Sequence, residues 1–296
     1  MTVLSKPVAF SPAQKSKHFF ALLKFRLSLL VVFSSGFGYL MGWNGADFQW
    51  GRFLAFCLGS FIITGAANTI NQIIERDVDK LMARTKERPL PTNALSISEV
   101  VIFSVLMTIL GTAILALGVS VGTAVLGLLS LLLYAFVYTP MKGVSSFAVF
   151  IGAFPGAFPP LIGWFAGGDQ LTWGAMVIFG IQFIWQFPHF WAIAWLAHDD
   201  YLKVGYNLLP TGARDFGSSI QIVIYTICLL PFGLMPWWMG ITGEISAVIV
   251  TIAGLLFLVP AVQLLLTESR KAARTLMFAS FLYLPVMQIA FVLDKI

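Results

Sequence analysis

VVIFSVLMTILGTAILALG, residues 100–118, holds no charged residue and no proline, and no further charge follows until Lys142. A helix crosses about 30 Å of hydrocarbon with about 20 apolar residues. This stretch is long enough to span, and the run after it is long enough to return. Neither shows the alternation that the strands of a membrane barrel require. The rest of the chain has the same character. Of its 296 residues, 58% are hydrophobic and 10% charged, and the mean hydropathy is +0.88. A soluble domain carries roughly 25% charged residues. So few charges cannot cover a soluble globule of 32.5 kDa, and a chain this apolar does not stay solvated as a disordered one. The fold class is therefore all-α, a polytopic membrane protein.

Apolar runs between polar breaks give nine spans, at 22–42, 53–74, 98–118, 121–139, 147–166, 172–197, 219–240, 245–266 and 276–293. The break at 118–121 is the thinnest, resting on Gly118, Ser120 and Gly122. With the N-terminus in the cytoplasm, every Lys and Arg except Arg52 and Lys295 falls on the cytoplasmic side, a strong positive-inside bias. The net charge of +5 comes from these loops. It favours anionic headgroups or anionic substrates, and nothing points to nucleic acid. Residues 1–20, with Lys6, Lys15 and Lys17, lack a signal-peptide core and read as a basic cytoplasmic tail. Residues 21–296 read as one transmembrane domain. The short N-terminus, without a long Arg/Ser-rich leader, favours a bacterial plasma membrane. Cys57 and Cys228 lie in apolar runs, read as small buried hydrophobes, and offer no disulfide or zinc framework.

Two polar clusters stand out. The first runs Asn71-Gln-Ile-Ile-Glu75-Arg76-Asp77-Val78-Asp79-Lys80, then Met82-Ala-Arg84-Thr85-Lys86-Glu87-Arg88-Pro89. Asn71, Glu75 and Asp79 are spaced i, i+4, i+8, which puts three oxygen-bearing side chains on one helix face. Asn68 extends that face toward the membrane. Two carboxylates and an amide so placed suit a hard cation such as Mg²⁺ that also takes phosphate oxygens. Arg84 and Arg88, again four apart, have the planar forks that match phosphate. A solvated, salt-bridged helix end is the plainer reading, but amides at the end of an apolar span are costly unless they face a cavity.

The second cluster runs Trp185-Gln186-Phe187-Pro188-His189-Phe190-Trp191, then Asp199-Asp200-Tyr201-Leu202-Lys203. Pro188 should kink its span and free the carbonyl of Ile184, with Gln186 and His189 beside the break. Asp199 and Asp200 are placed to supply the other half of a metal-diphosphate site, and Lys203 to point at the same phosphates. His189 is either a hydrogen-bonded structural residue or a haem ligand. The rings of Phe183, Trp185, Phe187, Phe190, Trp191 and Trp195 are mostly packing or a lipid-facing belt, with room for one or two to shield a cation or stack on a macrocycle. Lys142 is a lone cation at the inner end of a span, within reach of a diphosphate. Residues 147–166, with Gly152, Gly156, Gly163 and three prolines, read as a thin, broken helix that packs closely or leaves room for a bulky ligand.

With these residues in view, residues 20–290 resemble the UbiA superfamily of intramembrane prenyltransferases. The likeness rests on Asn71-x3-Glu75-x3-Asp79 followed by Met-x-Arg-Thr-x2-Arg-Pro, and on Tyr-Thr-Pro-x-Lys at 138–142. It rests also on Gly-Ala-x-Pro-Gly-Ala-x-Pro-Pro-x-x-Gly-Trp at 152–164, Trp-Gln-x-Pro-His-Phe at 185–190, and Asp-Tyr-x3-Gly at 200–205. The acidic motif marks the superfamily; the Trp-Gln-x-Pro-His-Phe block marks its haem-directed branch. The resemblance implies about nine helices around a central cavity that opens sideways to lipid. It implies two polar motifs capping that cavity, after the second and sixth spans. It implies farnesyl transfer from farnesyl diphosphate to a vinyl of haem B, giving haem O for terminal oxidases.

On that reading Asn71, Glu75, Asp79 and Asp200 hold Mg²⁺, with Asp199 assisting. Arg84, Arg88, Lys142 and Lys203 bind diphosphate. Gln186, His189 and Trp185 bind haem, and Tyr138 shields the allylic cation. Three departures from the family pattern are Glu75 for Asp, Gly143 where Arg is usual, and Phe25 where Pro is usual. A quinone-type or other aromatic acceptor, a transporter and a non-catalytic haem-assembly factor are the alternatives. The transporter fares poorly because no acid lies near the middle of any span. A homo-oligomer and a partner such as haem A synthase or an oxidase-assembly factor stay open.

Overall fold

The computed structural model describes residues 11–45 and 47–296, so Lys6 of the basic tail lies outside the described residues. Helix α1 (Pro12–Leu22) opens with a capping box between Ser11 and Gln14 and a proline in its first turn. The part of the expected tail beyond residue 11 is therefore helical. Its apolar side packs Leu22 and Phe19 against Leu90, Leu95 and Val100. There follow α2 (Phe25–Gly42), α3 (Trp50–Ile74), the single turn α4 (Arg76–Asp79) and α5 (Ile97–Gly118). Helix α6 (Val121–Leu132) runs through a π-helical turn, Leu133–Tyr138, into α7 (Thr139–Met141). The remaining helices are α8 (Ala148–Gly168), α9 (Trp173–Leu202), α10 (Phe216–Trp238), α11 (Glu244–Thr267) and α12 (Arg270–Leu293).

Among the described residues nine helices are long and apolar enough to cross a membrane, counting α6 to α7 as one. They match the nine apolar runs in order. The thin break at 118–121 is real: Ser120 takes the amide of Thr123 on its side chain and starts α6. The largest differences are at α9, which runs on to Leu202, and α12, which starts at Arg270 rather than 276. Hydropathy sees only the apolar part of a helix. The helix itself stops where its hydrogen bonding stops, at Ser269, whose side chain caps Ala272.

Residues 147–166 depart from expectation. Helix α8 is continuous from Ala148 to Gly168 with Pro155, Pro159 and Pro160 inside it. Each proline removes a backbone donor four residues on from a carbonyl, and neighbours take up two of those carbonyls: Gln182 donates to Gly156 O at 3.0 Å and Ser130 to Pro155 O at 3.5 Å. Helix α9 likewise runs unbroken through Pro188.

The glycines of α8 do shape the packing. Helices α2 and α8 lie backbone to backbone: a Cβ at Gly163 would collide with the carbonyl of Ser35, one at Gly38 with the carbonyl of Pro160, and one at Gly42 with that of Trp164. Small residues at such crossings let membrane helices approach closely, where dispersion replaces the hydrophobic effect as the cohesive force. Gly163→Ala should therefore lower stability by about 1–3 kcal/mol, the usual range for overpacking. A thermal scan in detergent should show a clear fall in Tm, while Gly51→Ala, which meets nothing within 4 Å, should leave Tm unchanged.

Candidate functional site

The ends of α2, α3, α7, α9 and α12 that carry the charged loops form one pole of the bundle. Helix α3 stops at Ile74 and α4 begins at Arg76. Backbone bonds from Glu75 N to Asn71 O (2.9 Å) and from Asp79 N to Glu75 O (2.7 Å) carry the register across the junction. Asn71, Glu75 and Asp79 thus stay on one face, as their spacing requires. All three are buried.

Each is met by a cation or a hydroxyl. Lys142 Nζ pairs with Glu75 Oε1 at 2.8 Å, and Arg88 Nη1 with Asp79 Oδ2 at 2.6 Å. Lys24 Nζ donates to Asn71 Oδ1 at 3.3 Å, and Asn71 Nδ2 donates to Thr139 Oγ1 at 3.1 Å. Tyr206 OH reaches Glu75 Oε1 at 3.5 Å. Lys142 also sits 4.7 Å from the centre of the Tyr138 ring.

Burial alone would raise the Glu75 carboxyl, but the charge and hydrogen bond of Lys142 outweigh it and hold it below the ordinary range. The same pairing holds Lys142 above its ordinary value against the pull of burial. Burial, then repulsion from Arg88 and Lys142, brings Lys24 down to about 7. Burial, then the charge of Glu75, pushes Tyr206 up to about 12.

Two carboxylates thus face three basic groups, Lys24, Arg88 and Lys142. The surplus is positive, so the pole suits a ligand more negative than its own acids. Asp79 Oδ1 is buried with no hydrogen-bond partner among the described residues, an acceptor that a cation would satisfy. Among the described residues no three His, Cys, Asp or Glu side chains cluster as a metal cage. The oxygen donors Asn71, Glu75 and Asp79 instead fit a hard ion that brings most of its ligands with it, which is how Mg²⁺ binds alongside phosphate.

The second motif divides. Asp200 pairs with Lys203 at 2.7 Å and lies beside the backbone of Ala83 and Arg84, which brings α9 to the loop that follows the first motif. Asp199 is turned elsewhere. It is bound by Arg214 at 2.9 and 3.2 Å and by Arg270 at 2.7 Å. The same two arginines hold the carbonyls of Trp195 and Leu196. The structure gives Asp199 a structural ion pair across α9 and α12, because two forked cations outcompete the distant pole. Lys203 is largely exposed, and Arg84 is exposed.

Below the pole lies a cavity of about 300 Å³, with Asn68, Tyr134 and Tyr138 near its charged end. It reaches lipid between α2 and α12, where the lining residues Leu27, Leu30, Phe33 and Phe281 are all exposed. The haem-branch block forms part of its wall. Trp185 Nε1 donates to Ser280 O at 3.1 Å and Gln186 Nε2 to Ala153 O at 2.9 Å, so both side chains are committed to neighbouring helices. Trp185 stacks on His189 at 4.6 Å.

His189 differs. Its Nδ1 lies 2.8 Å from Ser280 Oγ, and that hydroxyl gives its hydrogen to Met277 O at 2.6 Å. Ser280 can then only accept from His189, so Nδ1 carries the proton. In the neutral ring Nε2 then keeps a bare lone pair, on a cavity-lining side chain and with no protein partner among the described residues.

Lys24, Tyr206 and Ser280 are site residues that the motifs did not mark, and Thr139 lay within the Tyr-Thr-Pro-x-Lys motif with no role assigned to it. Lys24 had a signal, a cation at the mouth of the first span, but it counted only toward orientation. Thr139 is 68 residues from Asn71, Tyr206 is 131 from Glu75 and Ser280 is 91 from His189, and no spacing rule finds such partners.

Residues 30–284 match the family described as the UbiA prenyltransferase family. The chain is 50% identical over 285 residues to the protoheme IX farnesyltransferase of Cytophaga hutchinsonii, covering 96% of this chain and 99% of that one. It is 42% identical to the protein of that name from Flavobacterium psychrophilum, covering 93% of each. Among solved structures it is similar to digeranylgeranylglyceryl phosphate synthase, with a TM-score of 0.78 at 18% identity over 95% of this chain and 98% of the other. It is also similar to a UbiA homologue of Archaeoglobus fulgidus bound to GPP and Mg²⁺, with a TM-score of 0.64 at 14% identity over 93% and 99%. At those identities the structures show the shared fold.

Lys142→Met should strand the Glu75 carboxylate and destabilise the fold by about 3–5 kcal/mol, the cost of breaking a buried pair from one side. Lys142→Met with Glu75→Gln should recover most of that loss. Denaturation of the two singles and the double in detergent checks the coupling.

Proposed function

The chain belongs to the UbiA prenyltransferase family, and from that premise we propose that it transfers the farnesyl group of farnesyl diphosphate to a vinyl of haem B, releasing diphosphate and giving haem O. The observation that carries this reading is His189. A neutral imidazole with an open Nε2 inside a lipid-facing cavity is an axial ligand for haem iron, and it lies below a pole built for an anion. The names of the curated relatives at 42–50% identity support the same acceptor.

Asn71, Glu75 and Asp79 would hold Mg²⁺ on the diphosphate, with Asp200 closing the site from α9. When bound, the ion neutralises charge on the leaving oxygens. The basic groups do the rest by exchanging partners. Lys142 and Arg88, paired with Glu75 and Asp79 in the structure, would turn to the diphosphate where those acids held the ion. Lys24 and Arg84 add positive charge, and Lys203 lies at the rim. Once turned to the bound diphosphate, these groups need little further movement as charge develops on the leaving oxygens.

The farnesyl C1–O bond then breaks, its electron pair leaving with diphosphate. The vinyl π pair bonds to C1, and water takes the cation left beside the ring, losing a proton to the departing diphosphate. Tyr138, beneath Lys142 at the top of the cavity, is the ring placed to shield C1. Trp185 and Gln186 keep His189 and the cavity wall in position. The charged pole would face the cytoplasm of a bacterial plasma membrane, where farnesyl diphosphate is available.

Purified protein in detergent, supplied with haem B, farnesyl diphosphate and Mg²⁺, should yield a hydroxyethylfarnesyl porphyrin by mass spectrometry, and EDTA should abolish it. Aromatic acids offered instead of haem should give no product; prenylated acids would overturn the haem reading. Asp79→Asn should lose turnover by at least about a hundredfold, the scale of removing one electrostatic contact in a transition state, while still folding. His189→Ala should bind haem without the axial nitrogen, seen as a shifted Soret band.

A further inference from the structure

Pro160 has no N–H, so the carbonyl of Gly156 four residues before it lacks its helical donor. Gln182 of α9 supplies one, Nε2 to Gly156 O at 3.0 Å. A carbonyl only accepts, so this contact fixes the Gln182 amide with Oε1 facing the other way. There Oε1 accepts from Ser34 Oγ at 2.9 Å and from Gln288 Nε2 at 3.1 Å. Gln288 Nε2 also donates to Ser34 Oγ at 2.8 Å. The Gln288 amide is therefore fixed as well. Its Oε1 is left with no partner among the described residues, on a side chain only 1% exposed. A buried amide oxygen of this kind calls for a donor.

Ser34, Gln182 and Gln288 all line the cavity. They form a polar floor beneath an otherwise mainly apolar chamber. Gln182 is seven residues before His189 on α9, about 10 Å further from the charged pole at a rise of about 1.5 Å per residue. Among the described residues no Lys or Arg lines the cavity.

This inference rests on the haem reading. Haem B carries its two vinyl groups along one edge and its two propionic acids along the opposite edge. With iron at His189 and the reacting vinyl turned to the diphosphate pole, the acid edge must point away from that pole, toward the floor. We propose that the Ser34–Gln182–Gln288 cluster is the receptor for a haem propionic acid, and that it sets which edge of the porphyrin faces the diphosphate. The acid is taken in its neutral form. The hydrogens of Ser34 and of Gln288 Nε2 are committed within the cluster, so Gln288 Oε1 needs an O–H. A carboxylate in an apolar chamber without a cation is strongly disfavoured.

The test compares haem B with its dimethyl ester in wild type and Gln288→Leu, using the full chain in detergent with farnesyl diphosphate and Mg²⁺. Wild type should prefer the free acid about tenfold in kcat/KM, the scale of one buried hydrogen bond. Gln288→Leu should abolish that preference by raising KM for haem B, leave KM for farnesyl diphosphate unchanged, and split the product between the two vinyl positions on chromatography. A wild type indifferent to esterification, or a variant that keeps the preference, overturns the proposal. Should Gln288→Leu fail to fold, Ser34→Ala, which releases the Gln288 amide, is read in the same way. Soret titrations read the preference without turnover. A wild type that binds the free acid over the ester only while Gln288 is present, yet makes no farnesylated porphyrin, keeps the floor and overturns the transfer reaction.

Discussion

The pairing of Glu75 with Lys142 holds the top of the molecule together. The two residues lie 67 positions apart, at the ends of different spans, and both are almost wholly withdrawn from water. Charges so placed are tolerated only as a pair with further hydrogen bonds, and Tyr206 and the Tyr138 ring supply neighbours. The Arg88–Asp79 pair does the same from the adjoining loop. Together they close the cavity at one end, keep two carboxylates poised where a metal would need them, and store the cations that a leaving diphosphate would need. One set of contacts steadies the pole and, in the proposed reaction, supplies the cations that meet the diphosphate.

The same economy recurs below the pole. In a membrane a backbone carbonyl without its helical partner must find another inside the protein. The prolines of α8 create such carbonyls, and the side chains that answer them are drawn into fixed orientations. Gln182 is aligned by Gly156, and Gln288 by Gln182. A feature that reads as disorder in a helix becomes the means of orienting amides in a chamber with few other polar anchors. The glycines on the other side of α8 bring its backbone against α2, and α2 borders the opening to lipid.

Much of this was legible beforehand. Hydropathy alone placed nine spans, including the thin break that Ser120 caps, because about 20 consecutive apolar residues admit few alternatives. The i, i+4, i+8 spacing placed Asn71, Glu75 and Asp79 on one face, because helix geometry is local. Asp199 and Asp200 show where such reasoning stops. Adjacent acids at a helix end look alike in sequence, yet they point about 100° apart on a helix. One meets the loop after the first motif and the other meets Arg214 and Arg270. The expectation of a broken helix at residues 147–166 failed for a related reason. Proline's local penalty was visible, but the donors that offset it sit on other helices.

The sequence by itself determined the fold class, the order of the spans, the side on which charge collects and the family to which the chain belongs. These follow from composition, periodicity and short motifs, all properties of neighbouring residues. Tertiary structure alone decided which cation answers which acid, that Lys24 joins the site, that Ser280 fixes the tautomer of His189, and that three amide and hydroxyl side chains from α2, α9 and α12 meet at the floor of the cavity. Those are contacts between residues far apart in the chain. No local rule of hydropathy or spacing can name their partners, because each partner is chosen by how the helices pack.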